Sequence, residues 1–74
     1  MSAGVEEVMV DYSNTVINEA IEEYIHKKRD RDILKRRLID GITFEKLAEE
    51  FDLSVRNVKY IVYKGQDRIF KHLK

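Results

Sequence analysis

Seventy-four residues without a cysteine or a proline imply one small domain, no disulfide framework and no thiolate metal site. The longest apolar runs are only a few residues, against the ~20 that span a bilayer, so no membrane partner is expected. Net charge is zero, and the N-terminus is acidic where a signal peptide needs a basic and an apolar segment, so a cytoplasmic protein is expected.

Residues 1–12 show no period, and Val5, Val8, Met9 and Val10 stand among acidic neighbours. A flexible arm is expected there, followed by a single helical domain over 13–74. Glycine occurs only at 4, 41 and 65, too few turn residues for a strand-rich fold.

Ser13 or Asn14 is placed to cap a first helix running to about Lys28. The pairs Val16/Ile17, Ala20/Ile21 and Tyr24/Ile25 recur every four residues, which gives one buried face. The other face is acidic: residues 1–24 hold six acidic groups and no Lys or Arg.

The run His26-Lys27-Lys28-Arg29-Asp30-Arg31-Asp32 interrupts the stripe. Either Asp30 or Asp32 caps a new helix, or the first helix continues. The second helix is predicted to reach about Asp40 and to bury Ile33, Leu34, Leu38 and Ile39. Residues 25–40 carry seven basic and three acidic groups. Pairing with the acidic first helix explains this cluster as well as phosphate binding does. Gly41 suits the left-handed position after a helix end, with Ile42 folding back.

Thr43 caps a third helix, residues 44–51, whose Phe44, Leu47, Ala48 and Phe51 share one face. Asp52-Leu53-Ser54 is the turn, and Asp tolerates a left-handed backbone. Ser54 caps a fourth helix over roughly 55–73, with Val58, Ile61, Val62, Gly65, Ile69 and Leu73 as its inner stripe. Residues 54–74 carry six basic groups and one acidic group, and phosphates respond to such local potential more than to the total. The fold class is all-α, a small bundle with a tri-helical helix-turn-helix core.

The helix-turn-helix spans 43–64. A recognition helix buries one side and offers the other to base edges. Val58, Ile61 and Val62 face inward, leaving Arg56, Asn57, Lys59, Tyr60, Tyr63 and Lys64 outward or flanking. Arg donates twice to guanine and Asn pairs twice with adenine; Lys59 and Lys64 suit phosphates. The helix ends at Thr43 and Ser54 offer N–H groups to an anion. Tyr60 can stack, donate a hydrogen bond or touch a thymine methyl, and Tyr63 is open between core and surface. A charged face on a short helix is more often simply solvated. The turn, the Ser54 cap and the division of faces favour double-stranded DNA. No enzyme is expected: His26 and His72 are far apart in sequence, no His/Glu spacing suits a metal, no glycine-rich phosphate loop is present, and no cofactor is implied.

Residues 29–73 resemble region 4 of the bacterial sigma-70 family, which reads the promoter −35 element. The matching residues are Arg31-Asp32-Ile33-Leu34, the run from Gly41 through Thr43-Phe44-Glu45-Lys46-Leu47-Ala48 to Glu49, and Leu53-Ser54-Val55-Arg56-Asn57-Val58-Lys59, with Gly65 and Ile69 following. The ends Ile61-Val62-Tyr63-Lys64 and Phe70-Lys71-His72-Leu73 are similar to short sigma-like regulators of phages and mobile elements in Gram-positive bacteria. The resemblance implies base contacts from Arg56, Asn57 and Tyr60, flanking or phosphate contacts from Lys59 and Lys64, and a backbone contact from Thr43. Lys46 departs from the family, which has Glu there to complete a capping box; Lys46 cannot accept that bond and is free to reach a phosphate. The length leaves no room for the domain that melts the −10 element, so a complete sigma factor is not expected. The implied function is transcriptional regulation by sequence-specific DNA binding. Its rival is a module that docks on RNA polymerase or another regulator through the acidic first helix. An accessory factor for recombination or DNA packaging is a third reading.

Overall fold

The computed structural model describes residues 13–73, so the arm expected over 1–12, and Lys74, lie outside the described residues. The described residues form four α-helices in order: α1 Asn14–Tyr24, α2 Lys28–Leu38, α3 Phe44–Phe51 and α4 Val55–Leu73. The fold is all-α, and no strand occurs among the described residues.

The long helix α4 packs against each of the other three, and α2 also meets α1 and α3. Its inner face puts Val58, Val62 and Ile69 fully out of water, facing Ile33 and Leu34 from α2, Leu47 from α3 and Ile17 and Ile21 from α1. A fully buried aliphatic side chain of this size contributes roughly 1.5–3 kcal/mol. Ile61, expected in the same stripe, is only half-buried. The side chain of Leu73 lies outside the described residues.

Ser13 caps α1, its Oγ accepting from the Val16 N–H at 3.2 Å. The helix stops at Tyr24 rather than about Lys28, because Ile25 turns into extended backbone (φ −109°, ψ 119°) and is buried in the core. The Arg31 guanidinium secures the break, donating to the carbonyls of Ile25 at 3.1 Å and His26 at 2.8 Å.

Neither Asp30 nor Asp32 caps α2. Its N-cap is Lys27, in extended backbone and without a side-chain bond. Asp30 lies in the first turn, where a carboxylate favours the positive helix end, and Asp32 pairs with Lys28 at 3.2 Å. The helix ends at Leu38, two residues before Asp40. Gly41 then takes φ +73°, and the Ile42 N–H returns to the Arg36 carbonyl at 3.1 Å. Ile33 and Leu34 are fully buried, Leu38 and Ile39 partly.

Candidate nucleic-acid interface

The α3–α4 junction is built from local bonds. Thr43 Oγ1 accepts from the Lys46 N–H at 3.1 Å and starts α3. Asp52 ends it in the left-handed region (φ 57°, ψ 48°), and the Leu53 N–H reaches the Ala48 carbonyl at 2.8 Å. One residue later Ser54 Oγ accepts from the Asn57 N–H at 3.0 Å. Two helices are thus joined by three residues, and the first turn of α4 is firmly set.

That turn presents Arg56 and Asn57 to solvent while Val58 is fully buried. Lys59, Tyr60, Tyr63 and Lys64 are also exposed, with Tyr60 at 62% and Tyr63 at 56%. Tyr63 is therefore a surface residue, its ring edge-on to Phe44 with centroids 5.9 Å apart. Lys59 brings Nζ to 5.7 Å from the same Phe44 ring, and Lys64 brings Nζ to 5.6 Å from the Tyr60 ring; both distances suit a weak cation–π contact. Arg56, Lys59 and Lys64 form no ion pair with a described residue. Lys46 is exposed on α3, and its ammonium is likewise unpaired among the described residues. Phe44 couples the start of α3 to the middle of α4, so Thr43 and the outward residues of α4 belong to one end of the fold.

The α2 cluster is differently placed. Glu22 of α1 pairs with Lys35 and, at 3.9 Å, with Arg31. The hydrogen bond and charge of Lys35 hold the Glu22 carboxyl below its ordinary range, and Arg31 adds to the effect. Arg36 pairs with Glu50 of α3 at 2.7 Å and with Asp40 at 3.6 Å, and the bond to Glu50 raises its already high pKa. Pairing with the acidic first helix, one of two explanations open in the sequence, thus occupies Arg31 and Lys35, while Arg36 is paired with α3 and Asp40 instead.

Arg37 belongs to the same basic cluster but not to its ion pairs. It has no carboxylate partner among the described residues; its guanidinium carbon stands 4.1 Å over the Phe44 ring and its NH1 donates to the Ile42 carbonyl at 3.0 Å. Its neighbour Arg36 has the same residue type and an opposite fate, set by Glu50 and Asp40 on its side of the helix. His26 and His72, remote in sequence, line one hollow with Tyr24, and the rings of Tyr24 and His72 stack at 4.1 Å. Among the described residues no group of three or more His, Cys, Asp or Glu is placed to hold a metal ion. No described helix is long and apolar enough to cross a membrane.

In comparisons with protein families, curated proteins and solved structures, nothing matches the chain.

Proposed function

We propose that this protein binds double-stranded DNA sequence-specifically through α4 and regulates transcription for a phage or mobile element. The observation that carries the DNA reading is the first turn of α4, where Arg56 and Asn57 stand exposed directly after the Ser54 cap and Val58 anchors the opposite side. Neither side chain forms an ion pair or a hydrogen bond with a described residue, and both stand on a helix, the kind of rigid element that suits a binding site. The regulatory role rests on the resemblance to sigma region 4.

Selection from a random duplex pool, followed by fluorescence anisotropy on selected and unselected duplexes, tests the proposal. A recovered consensus bound well above random sequence supports it; equal binding to all duplexes, or none, refutes it. One observation favours the rival docking module. Glu19 and Glu23 are exposed on α1 and lack a cation partner among the described residues. Binding to purified RNA polymerase in the absence of DNA, lost on reversing those two charges, would support that module.

A further inference from the structure

A second cationic surface lies on the flank of α4, beyond the first turn. Lys64, Arg68 and Lys71 follow one another at helical spacings of four and three, which places them along one side of the helix. Across from them is the connector between α1 and α2. Lys27 and His26 of that connector, with Lys64 and Arg68 of α4, line a groove of about 340 Å³ floored by Leu34 and Gly65.

The cations of this groove are not neutralised. Lys27, Lys64 and Arg68 form no ion pair with a described residue. Among the described residues Arg68 donates to the Tyr24 carbonyl, at 3.4 Å. Asp30 lines the groove too, but its carboxylate already holds Arg29 at 3.1 Å. Glu23 and Asp67 line the adjoining hollow together with Lys64, Arg68, Lys71 and His72, but neither carboxylate forms an ion pair with a described residue. The contrast with Arg31, Lys35 and Arg36, each tied to a carboxylate, marks this groove as a part of the basic surface left for a partner.

Helix geometry says which part of DNA it meets. At 1.5 Å rise per residue, Lys64 and Arg68 lie about 12 Å and about 18 Å along the axis from Arg56. The major groove is only about 12 Å wide. If α4 enters the groove by its N-terminal turn with Arg56 at the base edges, Lys64 and Arg68 fall at and beyond the groove wall, where the phosphates run. We infer that the groove between the α1–α2 connector and α4 seats the phosphodiester backbone of the bound duplex, held by Lys27 on one side and by Lys64 and Arg68 on the other. This deepens the DNA-binding proposal and rests on it. Such contacts fix the docking register and carry no sequence information of their own.

The experiment is fluorescence anisotropy of the full chain with a selected and a random duplex across a salt series. Lys27→Gln/Arg68→Gln should weaken both duplexes by the same factor, preserve their affinity ratio and reduce the log–log salt slope by about two, one for each lost contact. Lys27→Gln alone, which leaves the Arg68–Tyr24 bond in place, should reduce it by about one. Wild-type protein that binds no duplex overturns both proposals. Wild-type protein that binds while Lys27→Gln keeps the full slope overturns this one alone. A double variant that lowers the affinity ratio also overturns it, since the groove would then be reading sequence.

Discussion

Gly65 of α4 lies so close to Leu34 of α2 that a Cβ at position 65 would stand 2.4 Å and 2.8 Å from the two Leu34 methyls and 3.1 Å from its Cγ. The backbone of α4 therefore rests directly on a side chain with no exposure to water. Its methyls can give way only toward the groove that Leu34 floors beside the α1–α2 connector. The contact sets how deeply α4 sits in the bundle and hence how far its outer face stands from α2.

Gly65→Ala should accordingly destabilise the protein. Alanine gains about 1 kcal/mol in a helix interior, whereas forcing extra volume into a packed core costs about 1–3 kcal/mol. The expected net loss is about 1 kcal/mol, or a midpoint roughly 4–8 °C lower for a domain of this size. Thermal unfolding followed by circular dichroism measures it. A higher midpoint would mean that α2 and α4 are less closely packed than this.

The Glu22 cluster predicts a pH dependence. Its carboxyl has a pKa below the ordinary 4.5 because Lys35 and Arg31 favour the charged form. A group depressed in the folded state contributes stability that is fully present above its unfolded pKa and lost as pH falls through the folded one. Glu22→Gln should thus lower the urea midpoint at pH 7, and the gap to wild type should close as pH falls below about 4.5. The pair is exposed, so high salt should also narrow the gap. A gap that widened in acid would reverse the assigned sign.

Charge reversal on α1 separates two roles of its acidic face. Glu22 has cations to lose, while Glu19 and Glu23 have none among the described residues. Glu19→Lys/Glu23→Lys should keep the wild-type unfolding midpoint. Adding Glu22→Lys should lower it, because a cation would then face Lys35 and Arg31. If the double variant unfolds as readily as the triple, the whole face serves the fold and offers no docking surface.

The features legible in sequence are those determined by near neighbours. Thr43 and Ser54 are caps because each hydroxyl bonds an N–H three residues on, and Asp52 takes the left-handed turn its residue type tolerates. Those local devices place α3 and the start of α4, and with them Arg56 and Asn57. The α1–α2 break was less legible. Asp30 and Asp32 look like N-caps, yet the break is held by Arg31 reaching back to the Ile25 and His26 carbonyls. Propensity does not report such a bond. The fates of Arg36 and Arg37 were hidden for the same reason, since Glu50 and Phe44 belong to another helix.

The sharpest test of the proposed function divides specificity from strength within α4. Arg56 and Asn57 occupy the first turn, where a recognition helix meets base edges. Lys64 lies about two turns further on, where the proposed docking puts a phosphate. Losing a two-pronged base contact costs about 1–3 kcal/mol at the cognate site and relaxes preference there. Losing a phosphate contact weakens all sequences alike and lowers the salt slope by about one. Arg56→Ala and Asn57→Ala should therefore narrow the gap between selected and random duplexes, while Lys64→Ala should weaken both and leave the gap in place. All three side chains are exposed, so the variants should remain folded, as circular dichroism would verify. Val58→Ala is the contrasting case: Val58 is fully buried, and its truncation should lower the unfolding midpoint and weaken binding to every duplex. Should folded Arg56→Ala and Asn57→Ala proteins both retain full discrimination, α4 does not read bases through its first turn, and the docking-module reading gains.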